Sequence, residues 1–303
     1  MKTSTWNIVR MHGWRLDRAV HHYVYFAYYP VYVSTLMKSS RFLARIGLKR
    51  ILHCALGFLF ERYHSKMLIA DDVRKIITLK EDLVFGPDES RRIIPFDRAN
   101  KVILKEPAFI AVMDCPCRLA RGRPCRAPSV CMAVGRTYAE FWLEHCEKYH
   151  ARRVTQDEAL GIIKDARERG CITTAWFKVA TGGTTGVICS CCSCCCVAIE
   201  GMHLGAMLDK SLSNIVPSGF SVVLDSDKCI SCHRCGEVCM FKAISFGQDD
   251  SLIYDSAACM GCGLCIETCR QEALRLARDE TKGDPLDIDE LRQRLRSRAS
   301  AGG

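Results

Sequence analysis

The sequence predicts an α+β protein: a helical N-terminal region over 1–80, a mixed α/β cysteine-rich domain over 81–218, a βαβ repeat over 219–280, and a closing helix and tail over 281–303. Three observations predict it. Basic and apolar residues alternate at helical spacing before residue 60, short apolar runs lead into cysteine groups in the middle, and two cysteine runs of identical spacing stand 30 residues apart near the C-terminus. A chain of 303 residues can bury a sizeable core and build more than one domain.

The N-terminal region is read as helices. No residue from Ala19 to Met37 carries a formal charge, and Tyr23, Tyr25, Phe26, Tyr28, Tyr29 and Tyr32 make the stretch aromatic. Its length approaches that of a membrane span, but His21, His22 and Pro30 interrupt it and tyrosine favours an interface over hydrocarbon. Lys38, Arg41, Arg45, Lys49 and Arg50 then interleave with Phe42, Leu43, Ile46, Leu48, Ile51 and Leu52, the pattern of a basic amphipathic helix. The expectation is a bundle packed on the rest of the protein, with a peripheral membrane contact as the alternative. Cys54, among Leu52, Ala55 and Leu56, reads as a core residue.

In the middle, Ala108–Met113 reads as a strand that delivers Asp114-Cys115-Pro116-Cys117-Arg118, followed by Cys125 and Cys131. Gly135 to Tyr149 reads as a helix. Thr155-Gln156-Asp157-Glu158 is a capping box that opens another helix, which ends at Gly170. Cys171–Val179 reads as a strand and Thr181–Gly186 as a loop whose glycines fit no phosphate-binding pattern. Val187-Ile188 leads into Cys189, Cys191, Cys192, Cys194, Cys195 and Cys196. Strand-like alternation would place Cys189, Cys191 and Cys195 on one side and Cys192, Cys194 and Cys196 on the other. So dense a run exceeds what packing needs, and one or two further iron–sulfur clusters shared between the two cysteine groups is the favoured reading. Zinc on Cys115, Cys117, Cys125 and Cys131 is the alternative, and spacing does not say which thiolates ligate. Cys146, Cys171, His150 and His203 read as structural.

The two late runs are Cys229, Cys232, Cys235, Cys239 and Cys259, Cys262, Cys265, Cys269, each C-x₂-C-x₂-C-x₃-C. This stretch, about 219–278, resembles the bacterial two-cluster ferredoxins, whose spacing binds two 4Fe–4S cubanes. The resemblance implies crossed ligation: Cys229, Cys232, Cys235 and Cys269 on one cluster, Cys259, Cys262, Cys265 and Cys239 on the other. The proline that usually follows the fourth cysteine is replaced by Met240 and Arg270, which bears on stiffness more than on ligation. Ala243-Ile244 and Ala273-Leu274 stand at matching offsets, as a duplication requires. Two zinc sites would need fewer cysteines than these runs supply.

The order Tyr63-His64-Ser65-Lys66, the Cys115–Cys131 group, the capped helix, Thr174-Ala175-Trp176-Phe177-Lys178, the Cys189–Cys196 run and the ferredoxin unit resembles a family of anaerobe proteins known only as 4Fe–4S binding proteins. That family shows Ile-Cys-Asn-Cys-Cys-x-Cys-Cys-Cys, and here Ser190 replaces the asparagine with every cysteine in register. It implies extra metal sites and offers no substrate.

Charge is uneven. The formal net charge is +9, but 219–280 carries six Lys/Arg against ten Asp/Glu, while 1–80 carries fourteen against four. No helix-turn-helix, zinc-finger or RNA-binding signature accompanies the basic surplus, so nucleic acid is not an expected partner. An acidic redox protein, or an anionic membrane surface, fits it better. Residues 1–18 show no apolar leader core, and 21 cysteines in a chain of this length favour reduced thiols over disulfides. The cytoplasm of an organism living with little oxygen is the expected setting, with membrane association as the variant. Two function classes remain: an electron-transfer protein or subunit, and an iron–sulfur reductase whose active site is the Cys115–Cys196 region. Catalytic residues are not assigned; Asp114, Arg118 and Lys178 lie near the cysteines in sequence.

Overall fold

A computed structural model describes residues 2–96, 102–122, 125 and 129–301 of the chain. Four helices open it: α1 (Thr3–His12), α2 (Leu16–Ala27), α3 (Tyr29–Arg45) and α4 (Lys49–Phe60). The uncharged stretch is thus split. Pro30 cannot continue a helix but suits a first turn, so α2 stops and α3 begins around Tyr28. The expected amphipathic helix across residue 46 is also two helices, because Gly47 takes φ +75° between them. Among the described residues, no helix is long and apolar enough to cross a membrane. Cys54 is exposed rather than in the core, since α4 buries Leu52, Leu56 and Phe60 and turns Cys54 away from them.

The chain continues through β1 (Tyr63–Leu68), α5 (Ala70–Ile77), β2 (Leu83–Phe85), α6 (Pro87–Ile93), β3 (Val102–Leu104), β4 (Ile110–Asp114), α7 (Pro116–Leu119), β5 (Ser129–Val134), α8 (Arg136–His145), β6 (Arg152–Val154), α9 (Gln156–Glu168), β7 (Ile172–Lys178), β8 (Thr184–Cys191), α10 (Val197–Leu208) and β9 (Ile215–Val216). Thr155 caps α9, its Oγ1 accepting the Glu158 N–H at 3.1 Å, while the Glu158 carboxylate turns to Arg152 at 2.6 Å instead of closing the box. Gly170 follows α9 at φ +80°. The expected 181–186 loop is shorter than read: Gly182 and Gly183 make the turn, and Thr184 already begins β8.

Seven strands form one sheet in the order β6-β4-β5-β8-β7-β1-β9, antiparallel throughout except for β1 with β9. Strand β1 lies inside the span read as a helical N-terminal region, so the sheet runs across the expected boundary at residue 80. Alternation sorts the side chains onto two faces. Ile110, Val112, Met132, Val134, Ala175, Phe177 and Ile188 pack against α5, α9 and the C-terminal helix. Ala111, Met113, Cys131, Ala133, Trp176 and Val187 pack against α1, α2, α3 and α8 through Ile8, Tyr25, Phe26, Tyr29, Phe141 and Trp142. The aromatic stretch therefore covers a sheet face.

The C-terminal unit comprises β10 (Phe220–Leu224), α11 (Arg234–Val238), β11 (Ile244–Phe246), β12 (Leu252–Tyr254), α12 (Leu264–Thr268) and β13 (Leu274–Arg278), followed by α13 (Ile288–Ala301). β10 pairs with β13 and β11 with β12. Its duplication reaches the backbone: positive φ falls at Ser231 and Gly261, at His233 and Gly263, and at Lys242 and Glu272, each pair 30 residues apart. Gly261 needs its missing side chain, because a Cβ there would meet the Phe220 carbonyl oxygen at 2.2 Å.

Candidate metal centres

In the C-terminal unit each cysteine run wraps a loop that ends in a one-turn helix, and the fourth cysteine leaves that helix toward the other run. One small cavity is lined by Cys259, Cys262, Cys265 and Cys239; a second by Cys229, Cys232, Cys235 and Cys269. Each cavity is lined by the four cysteines that the resemblance to two-cluster ferredoxins assigns to one cluster. Burial pushes the Cys262 thiol up to about 11 and raises Cys265 further. Thiols clustered in fours fit a bound metal group, whose charge removes their protons. The Gly261 N–H donates to Cys259 Sγ at 3.4 Å, a contact of the kind that tunes a ligating sulfur.

The first of these cavities faces the middle domain. Ser218 donates its N–H to the Met260 carbonyl at 3.0 Å and its Oγ–H to the Gly261 carbonyl at 2.8 Å. Arg167 of α9, 5 % exposed, donates to the Cys262 carbonyl at 2.8 Å and to both Glu267 oxygens at 2.6–3.1 Å. Leu264 packs in one apolar cluster with Cys191, Cys196, Ile172, Ile199 and Met202, and Cys262 borders the same cluster.

The middle-domain cysteines divide in two. The inner set comes from the end of β4 and the start of α7 (Cys115, Cys117), from β5 (Cys131), from β8 (Cys189, Cys191) and from the residue capping α10 (Cys196). β5 and β8 place Cys131 opposite Cys189, with the sulfurs 3.5 Å apart. Cys115 contacts Cys117, Cys117 contacts Cys196, and Cys196 contacts Cys191. All line one cavity, which Cys192 of the outer set also borders, together with Tyr25, Tyr29, Tyr32, Met37, Leu56, Phe60 and Tyr63. Lys178, 2 % exposed, enters from β7, donates to Tyr29 Oη and lies 5.3 Å from the Tyr25 ring centre and 5.4 Å from that of Trp176. The Cys131 thiol's hydrogen bond, with the Lys178 charge in support, holds Cys189 below the usual thiol range, whereas hydrogen bonding within the set and burial raise Cys115 and Cys131.

The outer set is Cys125, Cys192, Cys194 and Cys195, whose sulfurs all lie within 4.8 Å of one another. Strand alternation does not run through 189–196, because β8 ends at Cys191, a turn follows, and α10 starts beyond Cys196. Cys171, read as structural, stands beside the outer set: its sulfur receives Arg118 Nη2 at 3.5 Å, and it packs in one buried cluster with Cys192 and Cys195. The neighbouring Cys171 thiol, with the Cys195 backbone and Arg118, holds Cys192 well below the usual thiol range. Cys171 carries no motif; it stands just before β7, whose first residue Ile172 pairs with Cys191 on β8, so the signal that could have found it is the pairing of these two strands. Cys146 is buried in the aromatic core, its thiol facing the Phe26 carbonyl. His150 Nδ1 meets Asp114 Oδ2 at 2.7 Å, which also accepts Ser129 Oγ–H through Oδ1, so Asp114 braces the β4 exit.

Residues 221–275 match the 4Fe-4S dicluster domain family. The chain carries an iron–sulfur domain of that type. No curated protein matches the chain. The family match covers the C-terminal unit alone, and the middle domain stands on its cysteine geometry.

Proposed function

We propose that the protein relays single low-potential electrons through two 4Fe–4S clusters in its C-terminal unit to an iron–sulfur group held by Cys115, Cys117, Cys131, Cys189, Cys191 and Cys196. The observation that carries this reading is the shared apolar cluster: Leu264, beside the Cys262 loop, belongs to the same buried cluster as Cys191 and Cys196. One-electron exchange needs close approach of fixed centres and little motion. Arg167 and Ser218 clamp the Cys259 loop to the middle domain, which supplies both. Lys178 is the buried cation that offsets thiolate charge in the inner cavity.

The basic helices α3 and α4 are the proposed docking face for an acidic redox partner. Lys49 and Arg50 are exposed there, beside exposed Phe42, Ile46 and Ile51.

A second reading, reduction of a small molecule in the same cavity, is favoured by one observation. The cavity is walled by tyrosines and sets the Lys178–Tyr29 pair, a proton donor, beside the cysteines.

Stepwise reductive titration of anaerobically prepared protein, followed by electron paramagnetic resonance, tests the relay. The expected result is a third paramagnetic species, beyond the two interacting cubanes, that gains or loses its signal on reduction. A protein showing the cubane signals alone would overturn it.

A further inference from the structure

All four outer sulfurs lie within 4.8 Å of one another, closer as a set than a cubane allows, whereas among the described residues the inner sulfurs approach only pairwise, as Cys131 and Cys189 do at 3.5 Å. Cys125 Sγ lies 3.6 Å from Cys192 Sγ, and Cys194 Sγ 3.7 Å from Cys195 Sγ. Four thiolates around one tetrahedral ion, at metal–sulfur distances of about 2.3 Å, stand about 3.8 Å apart. A cubane sets a separate iron under each thiolate and spreads the sulfurs to roughly 6 Å. The sequence adds a second argument. Cys194 and Cys195 are neighbours in the chain, with Cα atoms about 3.8 Å apart, so their sulfurs converge on a single point more readily than on two irons of one cluster.

We propose that Cys125, Cys192, Cys194 and Cys195 bind one divalent transition-metal ion in tetrahedral thiolate coordination, separate from the iron–sulfur groups. Four thiolates around a divalent ion leave a net charge of about −2. Arg118 supplies part of the compensation, since it is 2 % exposed and donates to Cys171 at 3.5 Å, in the buried cluster that holds Cys192 and Cys195. The ion would tie the segment carrying Cys125, between α7 and β5, to the turn between β8 and α10. Both flank the inner cavity: α7 carries Cys117 and α10 begins after Cys196. Arg121 already joins the two, donating to the Cys195 carbonyl at 3.2 Å and to Glu200 of α10 at 2.5 Å. The role assigned to the ion is to hold those walls in register, with no electron passing through it.

The test uses full-length, anaerobically prepared protein with metal analysis and cobalt(II) as the probe. Cobalt(II) should occupy the site at one equivalent per chain and show the strong visible ligand-field bands of tetrahedral thiolate coordination. The exposed Cys194 permits a mild variant: Cys194→Ser should lose those bands and one metal ion per chain, with sulfide content and cubane signals unchanged. Zinc in the native protein, or a single iron without matching sulfide, would support the coordination equally and say which metal the cell supplies. A Cys194→Ser protein that loses about four irons with about four sulfides would overturn the proposal, as would wild-type protein that gives no tetrahedral cobalt spectrum.

Discussion

Arg167 is the residue whose loss should most cleanly uncouple the two halves of the molecule. It is buried on α9, and its guanidinium holds the Cys262 carbonyl at 2.8 Å and Glu267 at 2.6 Å. Replacing it with Met keeps the apolar stem and removes the donors. The bond to the buried carbonyl contributes about 2 kcal/mol, in the range for a charged donor. The Glu267 side chain is 40 % exposed, so water screens the ion pair and its share is nearer 1 kcal/mol. Together the variant should weaken docking of the C-terminal unit by about 3 kcal/mol, roughly a 150-fold rise in the undocked population. Native-state hydrogen exchange reads this directly, because the Ser218 N–H is protected by the Met260 carbonyl across the junction. In Arg167→Met the Ser218 amide should exchange roughly 150-fold faster, while amides in the centre of β7 keep their wild-type protection. Unchanged Ser218 exchange would refute the reasoning that Arg167 holds the junction.

Other consequences can be checked in parallel. Cys239→Ser should damage the cluster on Cys259, Cys262 and Cys265, because the four share one cavity; selective loss of the signal from the Cys229 run would contradict the crossed grouping. Burial pushes Lys66 down to about 7 from an ordinary 10.5, and it is fully buried with no hydrogen-bond partner for Nζ among the described residues. The folded state then binds fewer protons than the unfolded one between about pH 7 and 10.5, so this residue makes stability rise with pH across that window. Lys66→Met should accordingly stabilise the protein by on the order of 3 kcal/mol near pH 7 and by little above pH 10.5 in thermal melts. Gly186→Ala would drive a Cβ to 2.3 Å from the Tyr138 ring, whose hydroxyl is tied to Thr181 and Thr184, and should cost about 2–3 kcal/mol in denaturant titrations. Association with an acidic redox partner through α3 and α4 should weaken as salt rises and need no lipid; salt-resistant recovery in a membrane fraction would contradict that docking face.

The C-terminal unit was legible because its information is local. A fixed spacing, repeated, encodes a loop and a turn of helix, and the matching pairs of positive-φ positions show the duplication in the backbone. The capped helix at Thr155 was legible for the same reason. The division of the middle cysteines was not, because it depends on strand register between distant segments. Cys131 meets Cys189 only because β5 pairs with β8, and Cys171 nears Cys192 only because β7 lies beside β8. Alternation also misread 189–196, since nothing in so uniform a run marks where β8 stops and the turn begins. The aromatic N-terminal stretch was read as packing on the body, and its burial of Tyr25, Phe26 and Tyr29 agrees. That these residues wall a cavity over the cysteines could not be read, because Tyr63 and Lys178 reach it from strands far along the chain.

The most direct test of the account is the iron and sulfide content of anaerobically reconstituted protein, compared with a Cys115→Ser/Cys117→Ser variant. The relay requires more than the eight or so irons that two cubanes supply, with the excess lost in the variant and both cubane signals intact. Equal content in the two proteins, at about eight irons each, would contradict an iron–sulfur group in the inner cavity.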